Sequence, residues 1–325
     1  MTADCTASAY TVIELTIEDY SRCWRDTTTS LGWDCPFMLP PWINVWLKHF
    51  AGGVEPSLYA VRHHEQIIGI APLLITGAEA RLIGSPDVCD YLDFIVAPAR
   101  QNDFFSALVA HQRQHGIAAL DLGPLRPDSA AQAYFSSRGC CSQEDISYEL
   151  VLPPSWESYL SGLAVQQRHE VRRKLRRLQE AGLFAYRIVD APEAIDAAMD
   201  IFLRLFMISR PDKRAFMTGA MESFFRSLAR SMADCGLLRL GFLDISGEPS
   251  AAVMSFQYSG TVYLYNSGFD PRFKHLNAGL LCKVLSIRDS IERGKKIYDF
   301  LKGAEVYKQR LGGSPVPLQR CRVVL

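Results

Sequence analysis

Apolar positions along the chain follow two periods, one helical and one extended, and they switch in a regular order. In the second half, FAYRIVD (184–190) is rich in strand formers. Asp190 and Glu193 have the spacing of a capping box, with Pro192 in the first turn, so a helix is expected over PEAIDAAMDIFLRLFMISR. A second helix is expected over TGAMESFFRSLARSMADCG. Three strands follow, LLRLGFLDI, PSAAVMSFQYS and TVYLYNSGF, separated by the turns SGEP and SG. Leu281, Val284, Leu285, Ile287 and Ile291 then return to helical spacing. KKIYDFL reads as a strand, EVYKQRL as a short helix and VPLQRCRVVL as a last strand, giving the order βααβββαβαβ.

The first half shows the same order. TVIELTI is a strand, and residues 18–30 and 41–50 are helical. PSLYAVRH, QIIGIAPLLI and a segment within 79–96 are strands. A helix over 100–115, the strand IAALDLG, a helix over 129–138 and the strand SYELVLP complete it. Gly116 aligns with Gly294 and Asp121 with Asp299, both at an offset of 178 residues. Two copies of one α/β unit with a mixed sheet are expected, 1–153 and 154–325, joined near PPSWESYL and a basic helix.

Length and composition allow this. The 325 residues suffice for two domains, and 48% hydrophobic with 22% charged residues is globular. Lys+Arg and Asp+Glu are both 35, so no overall field steers the chain to nucleic acid or a membrane. Charge is local: residues 168–177 hold six Lys and Arg. The nine cysteines include no C-x-x-C pair, and the adjacent Cys140 and Cys141 suit neither an ordinary disulfide nor a zinc site; all nine are expected as thiols in a cytoplasmic protein. The opening residues lack a basic segment followed by an apolar one, and no apolar run approaches about 20 residues, so no leader or membrane span is expected. No Ser-His-Asp or metal-ligand spacing stands out, and no metal is expected.

The βααβββαβαβ order resembles the GNAT acyltransferase fold, and two copies in one chain resemble the Fem-type peptidyltransferases. DYLDFIV, FDP…GLL, YDFLKG and the Tyr307-Lys308 pair together resemble the CelD-like acetyltransferases of cellulose or exopolysaccharide biosynthesis, most strongly over 260–310. The resemblance implies tandem GNAT-like domains, with acetyl-CoA or another acyl-CoA as co-substrate in the second copy and the acceptor facing the first.

In that family a loop after the fourth strand enters a helix whose free amides hold the coenzyme pyrophosphate. Here the loop is DPRFKHLNAG. The usual Q/R-x-x-G-x-G/A run is reduced to Lys274, Asn277 and Gly279, with Ala278 and Leu280 opening the helix and Arg272 adding charge. Asn tolerates the left-handed backbone that glycine normally supplies. An ordinary turn with solvated basic residues is the competing reading.

The resemblance places Tyr307 where a tyrosine protonates the leaving thiolate, and Lys308 where a lysine contacts the donor or a tetrahedral oxyanion. Gly312 falls one residue later than the usual pattern. Glu305 is a weaker candidate base. On the acceptor side, Asp90 matches the family's aspartate and would bind an incoming ammonium or accept its proton, directly or through water, with Asp93 as a further contact. Arg168 and Arg172, off the apolar stripe of Val171, Leu175 and Leu178, suit a phosphate-bearing or nucleotide-linked acceptor or a solvated helix face. Tyr263 and Tyr265 share one strand face and would wall the cleft or pack in the core. The expected activity is direct acyl transfer to an amine or hydroxyl acceptor, such as a sugar or exopolysaccharide precursor. An aminoacyl-tRNA-dependent Fem-type transferase and a scaffold without turnover are the alternatives. Neutral charge and the lack of a coiled-coil arm oppose the first alternative, and the reduced KHLNAG loop supports the second.

Overall fold

A computed structural model describes residues 10–137 and 141–325. Two units divide them: one takes the described residues as far as Asp145 together with Pro317–Leu325, the other Ile146–Val316. The expected division near 153 had assigned the last strand to the second copy.

The first unit contains β1 (Tyr10–Leu15), α1 (Ile17–Arg25), α2 (Pro40–Phe50), β2 (Pro56–His63), β3 (Gln66–Thr76), β4 (Glu79–Leu82), β5 (Ile95–Val96), α3 (Gln101–Gln114), β6 (Ala119–Leu125) and α4 (Ala130–Ser136). Thr16 caps α1, accepting from the Asp19 amide while Asp19 accepts from the Thr16 amide. The helix stops at Arg25, short of the expected residue 30. The Asp26 carboxylate there accepts from both the amide and the hydroxyl of Thr28, at 2.9 and 2.6 Å, offering the chain a turn instead of another helical repeat. β7 (Cys141–Val151) follows, and from Ile146 it belongs to the second unit.

The second unit continues with α5 (Trp156–Gly162), α6 (Val165–Glu180), β8 (Phe184–Val189), α7 (Ile195–Ser209), α8 (Pro211–Phe216), α9 (Gly219–Asp234), β9 (Leu238–Ile245), β10 (Glu248–Tyr258), β11 (Thr261–Phe269), α10 (Ala278–Glu292), β12 (Ile297–Lys302) and α11 (Val306–Arg310). The expected capping box at Asp190 does not form. A 3-10 turn over Pro192–Ala194 leads into α7, and Asp190 instead pairs at 3.5 Å with the buried Arg239 guanidinium, which also holds Asp289 at 2.9 Å. The last strand, β13 (Ser314–Val324), returns from Pro317 onward to the first unit.

The strands follow two matching orders, β1-β2-β3-β4-β6-β13 and β8-β9-β10-β11-β12-β7. In each, one internal pairing is parallel and the others are antiparallel. The short β5 pairs with β3 outside the first of these orders. The parallel pairs are short and equivalent. Ala119, Leu120 and Asp121 of β6 face β4, and Ile297, Tyr298 and Asp299 of β12 face β11, which reproduces the 178-residue offset. The aligned Gly116 and Gly294 both take positive φ, 79° and 68°, where the chain leaves a helix to enter these strands. The aligned aspartates differ in use: Asp121 pairs with Arg320 at 2.7 Å, whereas Asp299 accepts from the Leu301 amide at 2.7 Å.

One face of the second unit's strands packs against α10 in a core that includes Val262, Leu264, Leu281, Val284, Leu285 and Tyr298. α7 packs on β10 and β11 and α9 on β9. A Cβ on Gly268 would lie 2.4 Å from the Phe206 amide nitrogen, so glycine there lets the α7 backbone sit directly on β11. Val171 and Leu178 of α6 are buried, as expected, and Leu175 is partly so.

Cysteine pairing corrects the sequence expectation. Cys141 and Cys321 form a disulfide, because adjacent strands bring together thiols 180 residues apart in sequence. Cys23, Cys35, Cys89, Cys235 and Cys282 are in no described disulfide, while Cys5 and Cys140 lie outside the described residues. No helix among the described residues is long and apolar enough to cross a membrane.

Candidate functional site

Parallel pairing in the second unit lasts only from Thr261–Tyr263 opposite Ile297–Asp299, although β11 runs on to Phe269. β12 turns away beyond Asp299. Its register against β7 shifts between Asp299 and Lys302, and Leu301 and Gly303 take φ of 61° and 113°. The two strands therefore part, and Tyr265 lies at a β-bulge between β10 and β11, where Met254 faces Asn266 and Ser255 faces Leu264.

Lys308 sits at this parting and is buried, with 2% of its surface exposed. Its ammonium donates to the carbonyls of Leu301, Lys302 and Gly303 at 2.9, 2.6 and 3.1 Å, and lies 2.9 Å from Glu305 Oε2. These acceptors take up all three ammonium protons. Glu305 is half-exposed, and its carboxyl pKa is lowered: the pairing with Lys308 outweighs burial, which acts the other way.

The loop after β11 becomes a 3-10 turn over Pro271–Leu276, and Asn277 then adopts φ 59°, ψ 34°, the left-handed conformation, immediately before α10. No side chain caps α10. Lys274, Asn277, Ala278, Gly279 and Leu280 line a cavity of about 260 Å³ with Phe269, Lys283 and Tyr307. Tyr307 therefore joins the expected donor residues in one place. Burial, aided by the Glu305 charge, raises its phenol pKa well above the ordinary value. Gly279 is needed for packing: a Cβ there would lie 2.9 Å from the Phe269 ring.

Arg272 does not line this cavity. It is exposed, holds Asp270 at 2.9 Å and Glu248 at 3.1 Å, and stacks beside the Phe273 ring. Two lysines absent from the expected site are close to it. Lys283, one helical turn after Gly279, donates to the Gly279 carbonyl at 3.1 Å and sits 5.0 Å from the centre of the Tyr307 ring. Burial lowers its pKa to about 8, with Lys308 adding to the effect. Lys213, on α8, donates to the Ser267 carbonyl of β11 and lies over the Phe206 ring; burial followed by Lys283 repulsion brings it to about 8 as well. The i,i+4 relation to Gly279 was a usable signal for Lys283; nothing in the sequence pointed to Lys213.

The remaining candidates are dispersed. Tyr263 is buried, and Tyr265 packs among aromatic rings, stacked on Phe225 at 5.6 Å and near Phe256 at 5.3 Å. Arg168 donates to the Ser161 carbonyl at 3.4 Å, and Arg172 approaches Glu157 at 3.5 Å.

In the first unit, Asp90 is half-buried between β4 and β5. Asp93 lines a separate cavity of about 230 Å³, together with Asp34, Tyr91, Arg126, Asp128 and Ser129. Burial raises the Asp93 carboxyl to about 7, even though it accepts from the amides of Phe94, Ala130 and Ala131 at 2.8, 3.0 and 3.4 Å. Arg126, which the sequence did not single out, pairs with Asp128 at 3.1 Å and lies 5.1 Å above the Tyr91 ring.

Comparison with known proteins now gives this geometry a context. Residues 165–309 match the family model described as acetyltransferase (GNAT) domain. Curated proteins yield no match. Among solved structures, FemX is similar at 11% identity over 97% of each chain, with a TM-score of 0.66. A conserved protein of unknown function from Bacteroides thetaiotaomicron follows at 10% identity, 97% and 99% coverage and a TM-score of 0.63. The C-terminal domain of a putative lysylphosphatidylglycerol synthetase from Agrobacterium fabrum gives 10% identity, 78% and 80% coverage and a TM-score of 0.55. At such identities the likeness is one of fold. The parted parallel strands and the helix that opens beside them lie within residues 165–309, the stretch that matches a GNAT acetyltransferase domain, and the chain shares the fold of FemX.

Proposed function

We propose that the protein moves an acyl group, acetyl in the simplest case, from acyl-CoA to an amine or hydroxyl acceptor that attacks the thioester directly. The observation that carries this is the single cavity where the start of α10, Lys274, Lys283 and Tyr307 meet. Amides in the first turn of a helix have no partner within it and carry partial positive charge, which suits a pyrophosphate, and the lysines add to that field. Arg272 is left out of the donor site because its guanidinium is committed to two carboxylates.

Tyr307 stays a phenol at any working pH and so is a hydrogen-bond donor to a leaving thiolate. Lys308 holds the turn that carries Tyr307, in place of the expected contact with the oxyanion. Within the first unit, Asp93 rather than Asp90 is the better candidate for a functional carboxylate: it lines a cavity there and titrates near neutrality. A sugar or exopolysaccharide precursor as acceptor rests on the CelD-like motifs alone.

Calorimetric titration with acetyl-CoA tests the donor. Saturable binding is expected, weakened about tenfold by Lys274→Glu, a charge reversal beside an anion, and unchanged by Arg272→Ala. No binding of acetyl-CoA or of longer acyl-CoAs would refute the proposal in favour of a charged-tRNA donor or a scaffold without turnover.

A further inference from the structure

We propose that Lys283 is itself an acyl acceptor, a self-acylation site inside the donor cavity. This rests on the donor reading above and adds a covalent outcome to it.

Three features of the structure support it. Lys283 lines the cavity with Tyr307, and its Nζ lies 5.0 Å from the centre of that ring, so a thioester whose sulfur reaches the Tyr307 phenol is within its reach. Its one described hydrogen bond is to the Gly279 carbonyl, which a neutral amine can still make with one N–H while keeping its lone pair available. The charged groups around it disfavour an ammonium on balance. Burial comes first, Lys308 adds to it, and Cys282 and Glu305 oppose it. Lys283 in turn lowers Lys213 on α8, Lys274 is the other cation lining the cavity, and the Tyr307 ring faces the Lys283 nitrogen at 5.0 Å. At pH 7.5 a lysine titrating near 8 is about one-quarter unprotonated, against about one in a thousand for an ordinary lysine.

The step balances without a further reagent. The Lys283 nitrogen attacks the thioester carbon, a C–N bond forms and the C–S bond breaks. The proton lost from nitrogen ends on the coenzyme sulfur. The products are an amide on Lys283 and free coenzyme A. The amide has no charge and occupies part of the cavity, so the modified protein binds donor more weakly and the reaction limits itself.

The neighbouring lysines serve as internal controls. Lys308 has its ammonium protons taken up by three carbonyls and a carboxylate. Lys213 shares the lowered basicity but does not line the cavity. Lys274 lines it but is exposed.

The experiment is incubation of the purified protein with acetyl-CoA between pH 6.5 and 8.5, followed by peptide mass spectrometry, with calorimetry of donor binding in parallel. Acetylation of Lys283 is expected at least tenfold faster than that of Lys213 or Lys274. Its rate should saturate with acetyl-CoA, be blocked by coenzyme A and fall about tenfold per unit below pH 8. No other lysine should take over in Lys283→Arg. Donor binding without preferential labelling of Lys283 would overturn the inference and leave the donor site standing; absence of donor binding would overturn both. Acetic anhydride labelling needs no donor site. Under it, Lys283 and Lys213 should share a midpoint near pH 8, and an ordinary midpoint for Lys283 would also overturn the inference.

Discussion

Lys308→Met removes an ammonium and little volume, and the structure sets what that costs. Three carbonyls lose the Lys308 ammonium as a donor, those of Leu301, Lys302 and Gly303. A buried acceptor left without a partner costs about 1–3 kcal/mol. Leu301 is buried, while Lys302 and Gly303 are half-buried and open to replacement by water, so the lower end applies to those two. The ion pair with Glu305 adds little, since its partner is half-exposed. Leu301 also holds φ at 61°, a conformation that costs a bulky residue about 1–2 kcal/mol and persists only where its surroundings impose it. The three carbonyls together give a loss of about 3–5 kcal/mol, readable as a lower urea midpoint. Leu301→Gly in the same background should recover part of it, because glycine adopts that φ freely. If Lys308→Met costs less than about 1 kcal/mol while abolishing acyl transfer, the lysine acts on the reaction and the structural reasoning is wrong.

Asp93 predicts a pH dependence. Its folded pKa, near 7, lies above the unfolded value of about 3.9, so the native state binds the extra proton and stability falls as pH rises from about 4 to about 7. Asp93→Asn should flatten that slope in urea titrations taken across the range, and an unchanged slope would count against the burial argument. Gly279→Ala forces a Cβ to 2.9 Å from Phe269 and is expected to cost about 1–3 kcal/mol, partly restored by Phe269→Leu. Non-reducing peptide mapping should recover Cys141 linked to Cys321. Cys321→Ala should lower stability by about 3–5 kcal/mol, the range for closing a long loop, and a midpoint insensitive to that substitution would argue against the bridge.

Much of the fold was legible because its elements are periodic. The strand and helix order of both halves follows alternation and 3.6-residue spacing, and the Gly116/Gly294 and Asp121/Asp299 pairs located the repeat. Asn277 was legible for a different reason: few residues other than glycine accept its φ. The errors came from groups whose partners are distant in sequence. Asp190 left its expected cap for Arg239, 49 residues away, and Cys141 paired across 180 residues. Lys308 shows a subtler limit. Its carbonyl partners lie only five to seven residues before it, but a turn that points three carbonyls at one ammonium depends on backbone angles at Leu301 and Gly303 that the letters do not reveal.

Pro317–Leu325 supply the strand that pairs with β6, and Ile146–Val151 supply the one that pairs with β12. Synthesis therefore delivers the parts of the first unit out of step. Its β6 edge stays open while the intervening 171 residues of the second unit, Ile146–Val316, are still being made. An open edge invites pairing with other chains. A ribosome-bound nascent chain that stops short of Pro317 is thus a species in need of protection, and cutting the gene after Asp145 would leave the first fragment without the strand that pairs with β6. The unit that begins first along the chain is the last to be finished.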